Sequence, residues 1–261
     1  MKGPREEAYA PDREDVIVGR NAVQEALKAG RQIDTLYIQQ ADGRRQDPVI
    51  GRILRLAGER RLVVKEATRQ KLAELSGGAA HQGVAAVLSA AEYVPLEAIL
   101  ARARERGEPP FLILCDGIED PHNLGAIIRT AEAAGAHGVV IPKRRSASLT
   151  QTVYKTSAGA AGVLPVCRVG NLAQAAGQLK QAGVWIYSAD MDGTPWCEVD
   201  YAGGVALVVG SEGQGVSRLM REASDFIVSL PMRGQINSLN ASVAAGILMY
   251  EIARQRALPG A

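Results

Sequence analysis

The chain has 261 residues, of which 47% are hydrophobic, 22% charged and 4% aromatic, and its formal net charge is +2. This composition is typical of a soluble protein with a hydrophobic core, and the length allows one large domain or two ordinary ones. The small net charge neither indicates nor excludes nucleic-acid binding, because the clustering of charge matters more than its sum. Eleven aromatic residues argue against a broad base-stacking platform.

Cysteine and histidine are scarce. The three cysteines, Cys115, Cys167 and Cys197, form no C-x-x-C pair, and there are three histidines. We therefore expect neither a disulfide framework nor a metal site. The polar first residues and the lack of a run of about 18 apolar residues predict a cytoplasmic protein without a signal peptide or membrane helix.

The first part of the chain is predicted to be a flexible tail, residues 1–15, followed by a small α/β domain, residues 16–92. Periodicity and capping residues predict three helices and three strands. The helices are Asn21–Gly30, Val49–Gly58 and Thr68–Leu75, and the strands are Ile33–Gln39, Arg61–Glu66 and Gly83–Ser89. Between Val16 and Leu75 there are 12 Lys/Arg and 7 Asp/Glu, a surplus of +5. This surplus fits either a solvated surface or one that faces phosphate groups.

Residues 93–108 are predicted to be an interdomain linker. Pro95 opens an Ala/Arg/Glu-rich stretch that Gly107 and Pro109-Pro110 end.

A second domain, residues 109–261, alternates short apolar strands with helices. The strands are predicted at Phe111–Cys115, Gly138–Ile141, Leu164–Val169, Val184–Ala189, Val205–Gly210 and Phe226–Leu230. The helices are predicted at Leu124–Ala134, Leu149–Ser157, Leu172–Ala182, Ser217–Ala223 and Leu239–Gln255. Uniformly apolar strands separated by helices indicate a parallel sheet covered on both faces, with ligands at the carboxyl ends of the strands.

Polar residues follow three of these strands. After the first strand, Asn123 is either an ordinary helix cap or a site residue, and Arg129 lies six residues further on. After the fifth strand, Gly210–Gly215 has the spacing G-x-x-G-x-G, which differs from that of dinucleotide and phosphate loops. After the sixth strand, a long loop holds Ser238 and Asn240, which is more polar than one helix cap requires.

Three segments, in this order, resemble the motifs of the SpoU, or TrmH-like, RNA 2′-O-ribose methyltransferases. They are NLGAIIR at Asn123–Arg129, VVGSEGQG at Val208–Gly215, and LPMRG with NSLNASVA within Leu230–Ala244. The first domain is similar to the family's RNA-binding domain. Within the family, the two-domain arrangement is most similar to enzymes that methylate a guanosine of the large-subunit rRNA.

The resemblance implies a parallel-sheet domain with a deep trefoil knot (the SPOUT class), S-adenosylmethionine as methyl donor, no metal, and a homodimer that binds RNA. It implies cofactor contacts in the second and third motifs, at Gly210, Leu230, Met232, Ser238 and Leu239. The last helix, with Val243, Ile247, Tyr250 and Ile252 on apolar faces, is the candidate dimer element.

The resemblance also implies the catalytic residues Arg129, Asn123, Glu212, Ser238 and Asn240. The family's proposed base is the arginine at Arg129, but an arginine stays protonated in proteins, so a phosphate-binding and alkoxide-stabilising role is the alternative. Asn123 and Asn240 would orient loops and ribose, Ser238 would hydrogen-bond near Arg129, and Glu212 would bridge to RNA or Asn123. His137 is expected at the surface.

Other functions stay open on the sequence alone. Within the family, a tRNA 2′-O-methyltransferase and a resistance-type rRNA methyltransferase would differ from the rRNA interpretation in the RNA-binding domain. A non-catalytic RNA-binding protein of ribosome assembly would not need Arg129, Glu212 and Asn240. A nucleotide-dependent oxidoreductase is disfavoured by the glycine spacing.

Overall fold

The computed structural model describes residues 15–40, 47–235 and 238–257. The described residues divide into two compact units, one of residues 15–91 with 148–152 and one of residues 92–147 with 153–257. Of the predicted tail, residues 1–14 lie outside the described residues, as do Arg44 and Arg45. Within the described part of the chain, no helix has the length and apolar character needed to cross a membrane.

The first unit is a four-stranded sheet with helices on both faces. Its strands are β1 (Val16–Val18), β2 (Ile33–Gln39), β3 (Val63–Ala67) and β4 (Val84–Leu88). Its helices are α1 (Arg20–Lys28), α2 (Pro48–Glu59) and α3 (Arg69–Ser76). The order is β1-β4-β2-β3, with β4 antiparallel to β1 and β2, and β3 parallel to β2. Val23, Leu36 and Ile53 are buried beneath α1 and α2, whereas Leu72 packs α3 on the other face.

One arginine of this unit has a structural role. Arg60 donates from Nη1 to the Leu27 carbonyl at 2.9 Å and from Nη2 to the Arg31 carbonyl at 3.0 Å. It thus ties the end of α2 to the end of α1. Arg52, Arg61 and Arg69 remain exposed.

The second unit is a seven-stranded sheet in which every strand pair is parallel. Its strands are β5 (Tyr93–Val94), β6 (Phe111–Asp116), β7 (Gly138–Pro142), β8 (Val166–Val169), β9 (Val184–Pro195), β10 (Gly204–Gly210) and β11 (Phe226–Ser229). Its helices are α4 (Leu96–Arg106), α5 (Pro121–Ala133), α7 (Leu172–Gln181), α8 (Arg218–Ala223) and α9 (Ala241–Arg256), and α6 (Gln151–Thr156) belongs to it from Val153 onwards. The order is β11-β9-β10-β6-β7-β8-β5. β6 and β10 are buried along their length because helices cover both faces, as the apolar runs predicted.

Strand β9 is longer than predicted and interrupted. It pairs with β11 through Ile227–Ser188 and then Val228–Thr194, so the register jumps between these two pairs. Residues 189–193 bulge out of the pairing, which directs them away from the ladder. The strand was predicted to end at Ala189, six residues before its observed end at Pro195.

The linker predicted at residues 93–108 is instead part of the second unit. Tyr93–Val94 pairs with β8 at the sheet edge, and Leu96, Ile99 and Ala103 of α4 are buried. The Ala/Arg/Glu-rich composition between Pro95 and Gly107 favoured a linker, but the three buried residues lie at i, i+3 and i+7 and form one apolar face.

His137 is fully buried, so the prediction of a surface position was wrong. The Phe111 amide donates to its Nδ1 at 3.0 Å, and its Nε2 lies 3.1 Å from Glu108 Oε2. Burial lowers the pKa of His137, although the Glu108 charge opposes this. The neutral ring holds the amino end of β6, at the sheet edge opposite the strand ends that carry the polar motifs.

We predict that Ile99→Ala destabilises the protein. Ile99 is fully buried, and its Cδ1 lies 2.6 Å from where a Cβ at Gly138 would stand. Removing a buried branched side chain typically costs about 2–5 kcal/mol. Urea unfolding measures this loss.

The matched control for this experiment is Glu105→Ala, an exposed position on the same helix. It should leave the urea midpoint nearly unchanged. An equally small effect of Ile99→Ala would mean that α4 is a solvated linker after all.

Candidate active site

The carboxyl ends of β6, β10 and β11 meet at one edge of the second unit, as expected for parallel strands. The loop after β6 leads into α5, the loop after β10 leads to α8, and the loop after β11 leads to α9. The three sequence motifs lie at or after these strand ends: the first on the opening turns of α5, the second at the end of β10 and in its loop, and the third in the loop before α9 and the start of that helix.

A hydrogen-bonded cluster joins the three motifs. The Nδ2 of Asn123 donates to Glu212 Oε1 at 3.1 Å, and the Nδ2 of Asn240 donates to Asn123 Oδ1 at 2.9 Å. Asn240 Nδ2 also donates to Glu212 Oε1 through a short bond. The Ala241 amide lies 3.4 Å from the same carboxylate oxygen. These three side chains, separated by 28 to 117 positions in the chain, form one polar group.

The two asparagines reach the cluster in different ways. Asn240 caps α9, since its Oδ1 accepts from the Ser242 amide at 2.9 Å, and this leaves its Nδ2 for the cluster. Asn123 is not the cap of α5, contrary to the ordinary-cap interpretation. Asp120 takes that role by accepting from the His122 amide at 2.9 Å, so α5 begins three residues earlier than predicted and the Asn123 side chain is free for the cluster.

A cavity of about 460 Å³ lies beside this cluster. All five residues predicted to contact a cofactor line it: Gly210, Leu230, Met232, Ser238 and Leu239. Glu212 lines it too, together with apolar side chains of β10, β11 and α9: Val209, Val228 and Leu248. The bulge of β9 forms another wall, with Asp190, Met191 and Asp192.

Gly210 allows the glycine loop to fold back on its strand. Gly215 donates its amide to the Ser211 carbonyl at 2.9 Å, which closes a tight turn. A Cβ at Gly210 would overlap the backbone of Gly215 and Val216. Gly125 allows a similar close approach between α5 and the end of α6, because a Cβ there would overlap Thr156 Oγ1. Both positions require glycine for close approach.

Arg129 is the predicted site residue that the structure does not bring to the cluster or the cavity. It is exposed on α5, and within the described part of the chain its guanidinium has no hydrogen-bond or ion-pair partner. The expected hydrogen bond between Ser238 and Arg129 is likewise not found among the described residues, since Ser238 faces the cavity. Asn237 lies outside the described residues.

Two contacts beside the cavities were not predicted from the sequence. Asp116, the last residue of β6, accepts the Ser217 amide on Oδ2 at 2.7 Å and so anchors the far end of the glycine loop. Arg221 pairs with Asp190 at 2.7 Å on the cavity wall. A single acidic residue at the end of a strand does not indicate its hydrogen-bond partner. The available signal for Asp116 was its position at the carboxyl end of β6, where ligands bind in parallel sheets.

Neither a reactive thiol nor a cluster of metal ligands is found near this site among the described residues. Burial, together with the Asp116 charge, raises the pKa of Cys115 to about 12, so its thiol stays protonated. Among the described residues, no group of three or more His, Cys, Asp or Glu side chains could hold a metal ion.

Residues 110–250 match the SpoU rRNA Methylase family. The chain belongs to this family. Residues 16–94 match a second family, the RNA 2′-O ribose methyltransferase substrate-binding domain, so the substrate-binding domain is present beside the SpoU domain.

Relatives of similar length support the SpoU assignment. A protein of Staphylococcus saprophyticus, provisionally named a TrmH family tRNA/rRNA methyltransferase, is 46% identical over 93% of this chain and 96% of its own. The Bacillus subtilis protein YacO, named in the same way, is 44% identical over 93% and 96% of the two chains.

Solved SpoU structures share the fold. The methyltransferase AviRb from Streptomyces viridochromogenes, solved with the cofactor AdoMet, aligns with a TM-score of 0.58 at 25% identity, over 97% of this chain and 94% of its own. The TrmH/SpoU tRNA modifying enzyme of A. aeolicus aligns with a TM-score of 0.51 at 32% identity, over 62% and 84%. The SPOUT-class α/β fold with a parallel sheet is thus confirmed. The knot stays a prediction, because strand order alone does not say how the chain threads.

We predict that Gly210→Ala displaces the glycine loop and destabilises the protein. The added methyl group would overlap backbone rather than a flexible side chain, and overpacking of this kind typically costs about 1–3 kcal/mol. Thermal melting followed by circular dichroism measures the loss.

Gly177→Ala is the matched control, since Gly177 lies within α7 and an added methyl group there would have no neighbouring atom within 4 Å. It should stabilise by up to about 1 kcal/mol through helix propensity. Equal melting temperatures for Gly210→Ala and the wild type would show that the loop has room to move.

Proposed function

We propose that this protein transfers a methyl group from S-adenosylmethionine to a ribose 2′-hydroxyl of RNA, with a guanosine of the large-subunit rRNA as the substrate. The observation that carries the proposal is the convergence of Asn123, Glu212 and Asn240 beside a cavity walled by the second and third motifs. Family membership supports RNA methylation. The ribose, rather than the base, as acceptor is supported by the substrate-binding domain over residues 16–94.

The residues present fit S-adenosylmethionine. The cavity of about 460 Å³ falls within the ~300–1,000 Å³ range of ligand pockets. Apolar side chains such as Leu230, Met232 and Leu239 would hold the adenine and methionine parts, and the crowded backbone around Gly210 would supply main-chain groups. AviRb, a structural neighbour, was solved with the same cofactor.

When bound, this cofactor supplies a methyl group that its sulfonium already activates. The protein must therefore align the 2′-hydroxyl with that methyl group, promote loss of the hydroxyl proton and exclude water. Asn123 and Asn240, held by Glu212, would orient the ribose at the cavity. The guanidinium of Arg129 stays charged, so it would bind the phosphate next to the target ribose and stabilise the developing alkoxide.

The first unit would bind RNA without taking part in the chemistry. Its exposed Arg52, Arg61 and Arg69 belong to the positive surplus seen in the sequence. Within the family, the two-domain arrangement resembles that of RlmB, which favours rRNA. A tRNA substrate or a resistance-type rRNA target is the alternative, and the relatives' names include both tRNA and rRNA.

A homodimer would complete the site. Three of the residues expected on this face, Val243, Ile247 and Tyr250, form an apolar stripe along α9 with 37–55% of their surface exposed, which favours a partner there. Ile252, the fourth residue expected on this face, is buried in the unit's own core. Because α5 packs on α9, with Thr130 next to Gly246, a partner on the stripe would also approach Arg129.

The direct test is methyl transfer from tritiated S-adenosylmethionine to RNA from a bacterium that lacks the gene. We expect label in the large-subunit rRNA, at one nucleotide whose ribose resists alkaline cleavage. Label confined to tRNA would move the substrate to the alternative, and no label in any RNA fraction would refute the proposed function.

We predict that Arg129→Ala abolishes methyl transfer without impairing the fold or cofactor binding, because Arg129 lines neither the cavity nor the core. Loss of one charge-stabilising donor costs about 10²–10³-fold in turnover. Arg129→Lys should also fail, since an ammonium does not reproduce the two-pronged grip of a guanidinium on phosphate.

Single-turnover methylation measures these losses. A thermal shift with S-adenosylhomocysteine tests whether the cofactor pocket is intact, since ligand at ~100 times its dissociation constant raises the free energy of unfolding by about 2.7 kcal/mol. Near-normal single-turnover rates in the alanine variant would make Arg129 an ordinary surface residue.

A further inference from the structure

A second cavity, of about 250 Å³, lies on the other side of the glycine loop. The two cavities share Ser211, Gln214 and Gly215, so this loop is a common wall. The second cavity extends towards the ends of β7 and β8, where the SpoU motifs do not reach. None of the predicted site residues lines it.

The chemistry of this second cavity is cationic with an apolar side. Arg144 and Arg145, in the loop after β7, are exposed and line it. Among the described residues, neither guanidinium has a hydrogen-bond or ion-pair partner. The acidic residue in the lining, Asp116, already accepts the Ser217 amide at 2.7 Å, which engages one of its two carboxylate oxygens.

Two further features suit a ligand with both a charged and a flat apolar part. Pro142, Leu172 and Leu219 line the cavity, and Leu219 keeps 59% of its surface exposed. Arg145 adopts a φ of +55°, a backbone conformation that costs energy for a residue other than glycine and that concentrates at binding sites. Phosphate pairs well with guanidinium groups, and an unstacked nucleobase can pack against aromatic or apolar side chains.

We propose that this second cavity binds an RNA nucleotide that neighbours the methylated one, with its phosphate on Arg144 and Arg145 and its base against Leu219. The inference rests on the proposed function and identifies residues by which the second unit itself would bind RNA. Because only the glycine loop separates the two cavities, this nucleotide would lie one loop away from the target ribose at the mouth of the first cavity.

The test is binding of deproteinised rRNA by the full-length variants Arg144→Ala, Arg145→Ala and the double variant over a range of salt concentrations. Each lost phosphate contact should lower the slope of log affinity against log salt by about 0.7–0.9, which is about five- to eightfold in affinity at ~0.1 M salt. Leu219→Ala should weaken binding without altering the slope. Arg104→Ala, an exposed position that lines neither cavity, should leave both unchanged.

The variants should bind S-adenosylhomocysteine like the wild type, which shows that the first cavity is intact. If the double arginine variant binds rRNA with the wild-type salt slope and affinity, the inference is overturned. If that variant also methylates RNA at the wild-type rate, the proposed function is unaffected. Unaltered affinity in Leu219→Ala would overturn the nucleotide assignment. Arginine-dependent binding of guanosine monophosphate with unaltered rRNA binding would also overturn it, in favour of a free nucleotide.

Discussion

One carboxylate oxygen, Glu212 Oε1, holds the loops of three strands together. It accepts from Asn123 after β6 and from Asn240 after β11, while Glu212 itself follows β10. These strands do not all neighbour one another, since β9 lies between β11 and β10. Each such bond contributes only about 0.5–1.5 kcal/mol to stability, and the cluster is exposed to solvent. Its importance is therefore geometric: it fixes the relative positions of loops that the sheet alone would leave independent.

Close backbone approach builds the space that this cluster borders. Gly210 lets the glycine loop return onto β10, and Gly193 lets the bulge of β9 lie against β11, since a Cβ there would stand 2.5 Å from the Ile227 backbone. The bulge then supplies Asp190, whose ion pair with Arg221 on α8 holds it in place. The walls of the first cavity are thus irregular backbone segments at the end of a regular sheet. A side-chain atom added at Gly193 or Gly210 would displace the backbone that forms these walls.

Predictions from the sequence were correct where local periodicity decides the structure. The alternation of apolar strands and helices in the second unit, and the cap of α3 by Thr68, are as predicted. The predictions were wrong for the start of α5, where a nearby cap competes with Asn123, and for His137, where distant partners decide. Asn123 has good cap chemistry, but Asp120 with Pro121 behind it starts the helix earlier. His137 became buried because Glu108 and the Phe111 amide satisfy both ring nitrogens, and neither partner is visible from its position in the chain.

The side chains at this site are better suited to positioning a substrate than to transferring protons. The Cys115 thiol is kept protonated by burial, and His137 lies at the opposite edge of the sheet, so neither takes part in proton transfer. Arg129, Arg144 and Arg145 carry permanent charge and are held by no partner within the described residues. Free guanidinium groups around a rigid, hydrogen-bonded centre suit a polyanionic substrate whose phosphates complete the ion pairs. In the proposed reaction, such contacts would position the ribose, and the cluster of Asn123, Glu212 and Asn240 would determine where the methyl group is received.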